Sequence, residues 1–246
     1  MFVWRYRLSG AGHSRSCPQW HSGQTPNSRR LLPLTEIPLN YSPSTNFSLF
    51  PPAVKHLLII NGLVFFALIT PAIGDILFRF GALWPLGSGL FQPWQLVTYM
   101  FLHAGFSHIL FNLFALWIFG QSIEAFWGTK RFVIYYLLTG IGAALIHMLI
   151  GGGGAPTIGA SGAVYGILLA FGMMFPDRYI VLLIPPVPIK AKYFVMIFGA
   201  IELFSGLTRP GSGIAHFAHL GGMIVGYALI RIWGLKGEND YHQPMY

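Results

Sequence analysis

A serine hydroxyl is a poor nucleophile until a base takes its proton, and histidine is the usual base. The sequence holds such a pair in Ser161 and His219. Charge developing on a substrate oxygen would need donors fixed in place. His108 and Asn112 could supply them, since a spacing of four residues sets them on one helix face. The N–H of Ser161 could supply another if Ser161 opens a helix, where the helix dipole also favours negative charge. His103, His147, Glu202 and His216 are the other polar side chains lying within apolar runs, and Glu124 stands just past one. Polar groups in such runs default to functional candidates. On this reading no acid lies beside His219, so a Ser–His dyad, not a triad, is expected.

Each residue also has a plainer reading. Ser161 sits between Ala160 and Gly162, and small residues let membrane helices approach closely. Gly162 with Gly166, and Gly222 with Gly226, form small-xxx-small pairs. A lone intramembrane His often does no more than bond a neighbouring helix. The His cluster could instead bind a metal or carry protons in a small transporter. No HExxH occurs, which argues against zinc proteolysis. Acids are nearly absent from the apolar runs, which argues against proton pumping.

The elements that must position these groups are six apolar spans, at about 55–78, 97–120, 130–150, 159–176, 192–207 and 213–234. An even number places both termini on one side. With the N-terminus inside, 13 of the 15 cations fall on inner segments and only Arg79 and Arg209 on outer loops. The positive-inside rule favours that orientation. Span six then enters from outside, and at 1.5 Å per residue His219 lies roughly 10 Å below the outer surface. His108 and Asn112, on span two, lie roughly 12–20 Å down. The stretch 151–156, four Gly followed by Ala and Pro, resists helix, and irregular backbone at membrane depth is tolerated where it lines a cavity. Ser161 can therefore begin a short helix at the same level. The first external loop, about 79–96, carries Trp84, Leu86, Leu90, Phe91 and Trp94. It is read either as interfacial anchoring or as a loop lying partly in the membrane.

Composition supports the lipid environment. The chain is 54% hydrophobic and 9% charged, against about 25% charged in soluble domains. The net charge of +8 forms no stripe, so nucleic-acid binding is not expected. A single cysteine, Cys17, excludes an intramolecular disulfide framework. Residues 1–50 are Arg-rich and acid-poor, readable as an organellar transit peptide or as a flexible polar tail, and the tail is the expectation.

Three runs resemble the rhomboid family of intramembrane serine proteases. Ile158 to Gly166 is similar to its GxSGxxY signature, and His103 to Asn112 to its second-helix HxxxxHxxxN motif. Ala215 to Gly222, followed by Gly226, resembles its sixth-helix motif, in which the second His is catalytic. The resemblance covers roughly 51–235. It implies an all-α polytopic bundle of six transmembrane helices in the family's basic form, flanked by tails at 1–50 and 236–246. It implies that Ser161 attacks the scissile carbonyl and His219 is the base. His108, Asn112 and the Ser161 N–H would form the oxyanion hole, and Tyr165 would stack on His219. His103 and His216 would support the site, and Gly159 would allow close approach. Gly120, Glu124 and Gly128 match a structural GxxxExxxG element. Trp94 matches half of a Trp-Arg pair in the first loop, but Gln95 follows it. No cofactor or metal is implied. Substrates would be single-pass or polytopic membrane proteins cut in or near a transmembrane segment. The expected setting is a bacterial-type inner membrane, with both termini cytoplasmic and the site open to the outer face. The competing expectation is a rhomboid-like pseudoprotease that binds membrane proteins.

Overall fold

The computed structural model describes residues 48–150, 154–182, 185–208 and 215–234. Most of the tail at 1–50, the tail at 236–246, most of the Gly stretch and the first residues of the sixth span lie outside these.

Proline fixes where the chain turns first. Helix α1 (Pro52–Leu68) starts with Pro at its first position, where a missing N–H costs nothing. Thr70 is extended because Pro71 follows it, and Pro71 opens α2 (Pro71–Gly81). The two helices meet at a bend of 118°. The expected span at about 55–78 is therefore broken. Its apolar composition continues through Pro71, so hydropathy alone does not register the bend.

A short α3 (Gln95–Thr98) and a single tight turn at Tyr99–Phe101 follow, and the chain is extended at Leu102. Helix α4 (Phe106–Trp127) begins only then. The expected second span at 97–120 thus starts too early, and the depth estimate built on it shifts. His103 precedes the helix and His108 lies in its first turn. Helix α4 ends at Gly128, whose φ of 77° only glycine adopts freely.

Helices α5 (Thr129–Ile150), α6 (Ser161–Met174), α7 (Ala191–Thr208) and α8 (His216–Trp233) follow the expected spans closely. A small antiparallel hairpin not foreseen from the sequence joins α6 to α7. Its strands β1 (Tyr179–Val181) and β2 (Pro188–Lys190) pair Ile180 with Ile189. Lys190 and Lys192 both reach the exposed Asp177 and hold its carboxyl below its usual range.

Among the described residues, three helices suffice by length and composition to cross a membrane, α4, α5 and α7, or four if the bent α1–α2 pair is one span. Helix α6 is apolar but shorter. The architecture is all-α apart from the hairpin. Helix α8 packs on α5 and α6, and α6 lies also against α4 and α7. Large apolar side chains such as Phe66, Leu149, Phe204 and Ile232 face outward. The buried core holds Phe132, Tyr135, Tyr136, Leu116 and Ile167.

Glycine sets the closest packing. A Cβ on Gly222 of α8 would fall on the Gly162 carbonyl of α6, and one on Gly162 would meet Ala143 of α5 at 2.5 Å. Only small residues allow this approach. Glu124 ties α4 to α1: its carboxylate accepts the N–H groups of Ala53 (2.8 Å) and Val54 (2.9 Å) and the Thr129 hydroxyl (2.7 Å). These are N–H groups that the first turn of a helix leaves without partners. Gly120 sits against Val54 and Phe132, with no room for a larger side chain unless they move.

The first loop is organised by Gln95, which is fully buried. Its side chain accepts from the N–H groups of Gln92 and Trp84 and donates to the carbonyls of Leu90 and Phe80. Trp94 is half exposed, and its indole N–H donates to the Phe80 carbonyl at 3.0 Å. The neutral Gln thus anchors the loop where the resemblance leads one to look for Arg.

Candidate active site

Four helices, α4, α6, α7 and α8, bring the polar groups together. Ser161 is the first residue of α6, so its N–H has no carbonyl one turn back within the helix. The approach to it is fixed from outside. The Gly159 N–H donates to the Tyr99 carbonyl at 2.9 Å, and Leu83 and Thr157 exchange backbone hydrogen bonds of 2.9 Å. The Tyr99 hydroxyl donates in turn to the Gly140 carbonyl of α5. The Thr157 hydroxyl lies 2.9 Å from His147 Nε2, which accounts for His147 as a tie between α5 and this segment.

His219, in the first turn of α8, places Nε2 2.8 Å from Ser161 Oγ. The contact joins the α6–α8 pair that the glycines bring close. The Tyr165 ring, one turn along α6, lies flat on the His219 ring, with centroids 4.4 Å apart and planes 6° from parallel.

Gly159 has φ +125°, a conformation that L side chains rarely adopt. A Cβ there would lie 2.7 Å from His108 Nε2 and 3.8 Å from Ser161 Oγ. The absent side chain therefore leaves a hollow between the two. His108 accepts the Ala104 N–H at Nδ1 over a long 3.4 Å. In the neutral ring this puts the proton on Nε2 and makes that nitrogen a donor toward the hollow. The Asn112 amide nitrogen is bound to the His108 carbonyl of its own helix at 2.8 Å. His103 is buried and packs edge-on against His108.

Glu202 corrects the expectation that no acid stands beside His219. From α7 its Oε2 lies 3.0 Å from His219 Nδ1, off the line of the ring N–H, and 2.6 Å from His216 Nδ1. Its Oε1 accepts the Tyr165 hydroxyl at 2.5 Å. Glu202, His216 and His219 offer atoms within 4.8 Å of one another, close enough to hold a metal ion, but here these atoms already face each other. Sequence reasoning missed Glu202 as a neighbour because it lies on another helix. The one signal was its being the sole carboxylate within the fifth span.

These features define a membrane helical bundle with a Ser–His pair beside a glycine-bounded hollow. The Rhomboid domain model matches residues 90–235, more than half of the chain, and the chain belongs to the rhomboid family. Its apolar helices and its family make it an integral membrane protein. It is 34% identical over 148 residues to Rhomboid-like protein 11, chloroplastic, of Arabidopsis thaliana, covering 57% of this chain and 52% of that one. It is 31% identical over 147 residues to Rhomboid protease GluP of Bacillus subtilis, covering 58% and 26%. It is 27% identical over 193 residues to Putative rhomboid protease YdcA of the same bacterium, covering 77% and 92%. The chain spans about half the length of the plant relatives it matches.

Proposed function

We propose that this protein is an intramembrane serine endopeptidase that cleaves other membrane proteins in or near their transmembrane segments. The observation that carries the reading is the 2.8 Å contact of His219 Nε2 with Ser161 Oγ beside the Gly159 hollow. In this mechanism Oγ attacks the scissile carbonyl carbon while its proton passes to Nε2. The tetrahedral oxyanion enters the hollow, where His108 Nε2–H and the Ser161 N–H donate to it. The positive end of α6 adds to that stabilisation. The Asn112 amide nitrogen spends one N–H on the His108 carbonyl, and its second N–H is the one that can join them. The imidazolium then gives its proton to the leaving amine, and water hydrolyses the acyl-enzyme by the same steps in reverse roles.

Helix α6 has 14 residues and is roughly 21 Å long. A hydrocarbon core of about 30 Å then leaves Ser161 below the surface. A substrate helix has its carbonyls bonded and shielded, so it must unwind before attack. Gly or Ser near the outer end of its helix lowers that cost, at up to about 1 kcal/mol per residue relative to Ala. Six spans, with the α1–α2 pair and α6 and α8 counted, place both described ends at one face. The relatives include chloroplastic, mitochondrial and bacterial proteins. We take a bacterial-type inner membrane as the setting, with the site open to the outer face.

The test is cleavage of a panel of reporter membrane substrates by the reconstituted full chain and by Ser161→Ala. Cleavage by the wild type with loss of at least about 10³-fold in the variant is expected. Equal cleavage by both, or none by either across the panel, would sink the reading and favour a binding protein.

A further inference from the structure

Glu202 has a geometry that a simple Ser–His dyad does not require. For Ser161 to donate its proton, His219 Nε2 must be bare, so the neutral ring must carry its proton on Nδ1. Nδ1 faces Glu202 Oε2 at 3.0 Å. We infer that Glu202 is a positioning residue that selects the productive tautomer of His219 and steadies the imidazolium formed during attack, so that Ser161, His219 and Glu202 act as a triad drawn from three helices. The inference rests on the protease reading for its consequence in turnover, but the tautomer is a property of the resting protein.

The surroundings of the carboxylate support this role. Glu202 is 7% exposed. A buried carboxylate is costly in a membrane unless it is paired. Its partners are the groups that already frame His219. Tyr165 donates to Oε1 while its ring lies flat on the His219 ring, and His216 Nδ1 shares Oε2 with His219 Nδ1. One carboxylate on α7 thus fixes the plane of the imidazole through Tyr165 and its tautomer through Oε2. Helix docking alone would need no charge here, since apolar packing serves as well or better. The skewed His219 contact leaves room to tighten when substrate and imidazolium are present, as catalytic hydrogen bonds in ligand-free sites commonly do. No proton is transferred to Glu202: it moves from Oγ to Nε2 and then to the leaving amine. Among the described residues, the other titratable groups that interact with the ring include His108 of α4, His147 of α5, Tyr165 of α6 and His216 on α8 itself.

Glu202→Gln keeps size and shape but offers one acceptor oxygen to three converging donors. The experiment uses the full chain in detergent with its histidine rings labelled with nitrogen-15, at a pH where the rings are neutral. The wild type is expected to show His219 as the single Nδ1–H tautomer, and Glu202→Gln to show a mixture. A single Nδ1–H tautomer retained in the variant overturns the inference, whether or not the chain cleaves anything. In liposomes with a cleavable substrate, Glu202→Gln is expected to lose roughly 10- to 10³-fold in kcat with little change in KM. Glu202→Asp should restore part of kcat. A kcat loss matched by a lower melting temperature, with the Nδ1–H tautomer of His219 unchanged, would assign Glu202 to helix docking and overturn the inference. Failure of the wild type to cleave, or to label at Ser161 with a serine-directed probe, would sink the protease reading and leave the tautomer result to decide this one.

Discussion

At the scale of single residues, the space beside Ser161 is made by what Gly159 lacks. Its φ of +125° would strain any other residue by about 1–3 kcal/mol. A methyl there would also press on His108 Nε2 from 2.7 Å and fill the hollow proposed for the oxyanion. Gly159→Ala is therefore expected to lower kcat at least as much as losing one oxyanion donor, about 10²-fold or more. Cleavage assays on folded variant decide this, and wild-type rates would place the oxyanion elsewhere. Ser161 and His219 were legible in the sequence because each is a rare polar group in an apolar run and both could be given a depth. Their local motifs also carried the positions of Tyr165 and Gly159. Glu202 was visible as a polar group but not as a neighbour of His219. Their meeting depends on how α7 packs against α6 and α8, and no periodicity within one helix encodes that. Gln95 was hidden for a different reason, since a loop residue's hydrogen bonds to backbone leave no pattern in composition.

At the scale of elements, the sequence predicts helices wherever an apolar run persists, and this succeeds for α5, α6 and α7. It fails where backbone geometry changes without a change in hydropathy, as at Thr70-Pro71 and along 97–105, where apolar residues continue through short turns and extended chain. Packing is the plainer reading of Ser161 among its small neighbours and nucleophile the sharper one, and the geometry makes the two compatible. Close packing of Gly222 on Gly162 is what lets α6 and α8 bring Ser161 and His219 within hydrogen-bond distance. Helix α1 depends on a different device. Ala53 and Val54 are buried, and their N–H groups end on Glu124. Glu124→Ala leaves both donors, and the Thr129 hydroxyl, without that acceptor. Each unsatisfied buried donor costs about 1–3 kcal/mol, so for the two buried N–H groups the variant should lose roughly 2–6 kcal/mol of stability. Thermal unfolding in detergent should show a markedly lower midpoint, and an unchanged midpoint would mean that water satisfies these groups. Glu124→Gln should fall between the two, since it keeps one acceptor but loses the charge that favours a helix N-terminus.

At the scale of the whole molecule, hydrogen bonds sort the helix ends into two groups. Arg131, at the start of α5, donates to the Gly234 carbonyl after α8 (2.8 Å), and Arg178 donates to Ser122 near the end of α4 (3.0 Å). With Glu124 holding the start of α1, these contacts gather the start of α1, the α4–α5 turn, the hairpin side and the end of α8 at one end. The Leu83–Thr157 pair gathers the first loop and the approach to Ser161 at the other. Lys55, Lys130, Arg131, Arg178, Lys190 and Lys192 belong to the first group, and Arg79 lies near the second. By the positive-inside rule, the proposed orientation puts the first group on the cytoplasmic face. Tyr179 and Ser88 are exposed and stand in opposite groups, which makes them useful reporters. In a Cys17→Ser background expressed in bacterial cells, Ser88→Cys should react with a membrane-impermeant thiol reagent added outside. Tyr179→Cys should react only after the membrane is opened. The reverse pattern would invert the orientation and turn the site toward the cytoplasm. Labelling of both from outside would break the alternation of α4, α5 and α6 on which the six-span reading depends.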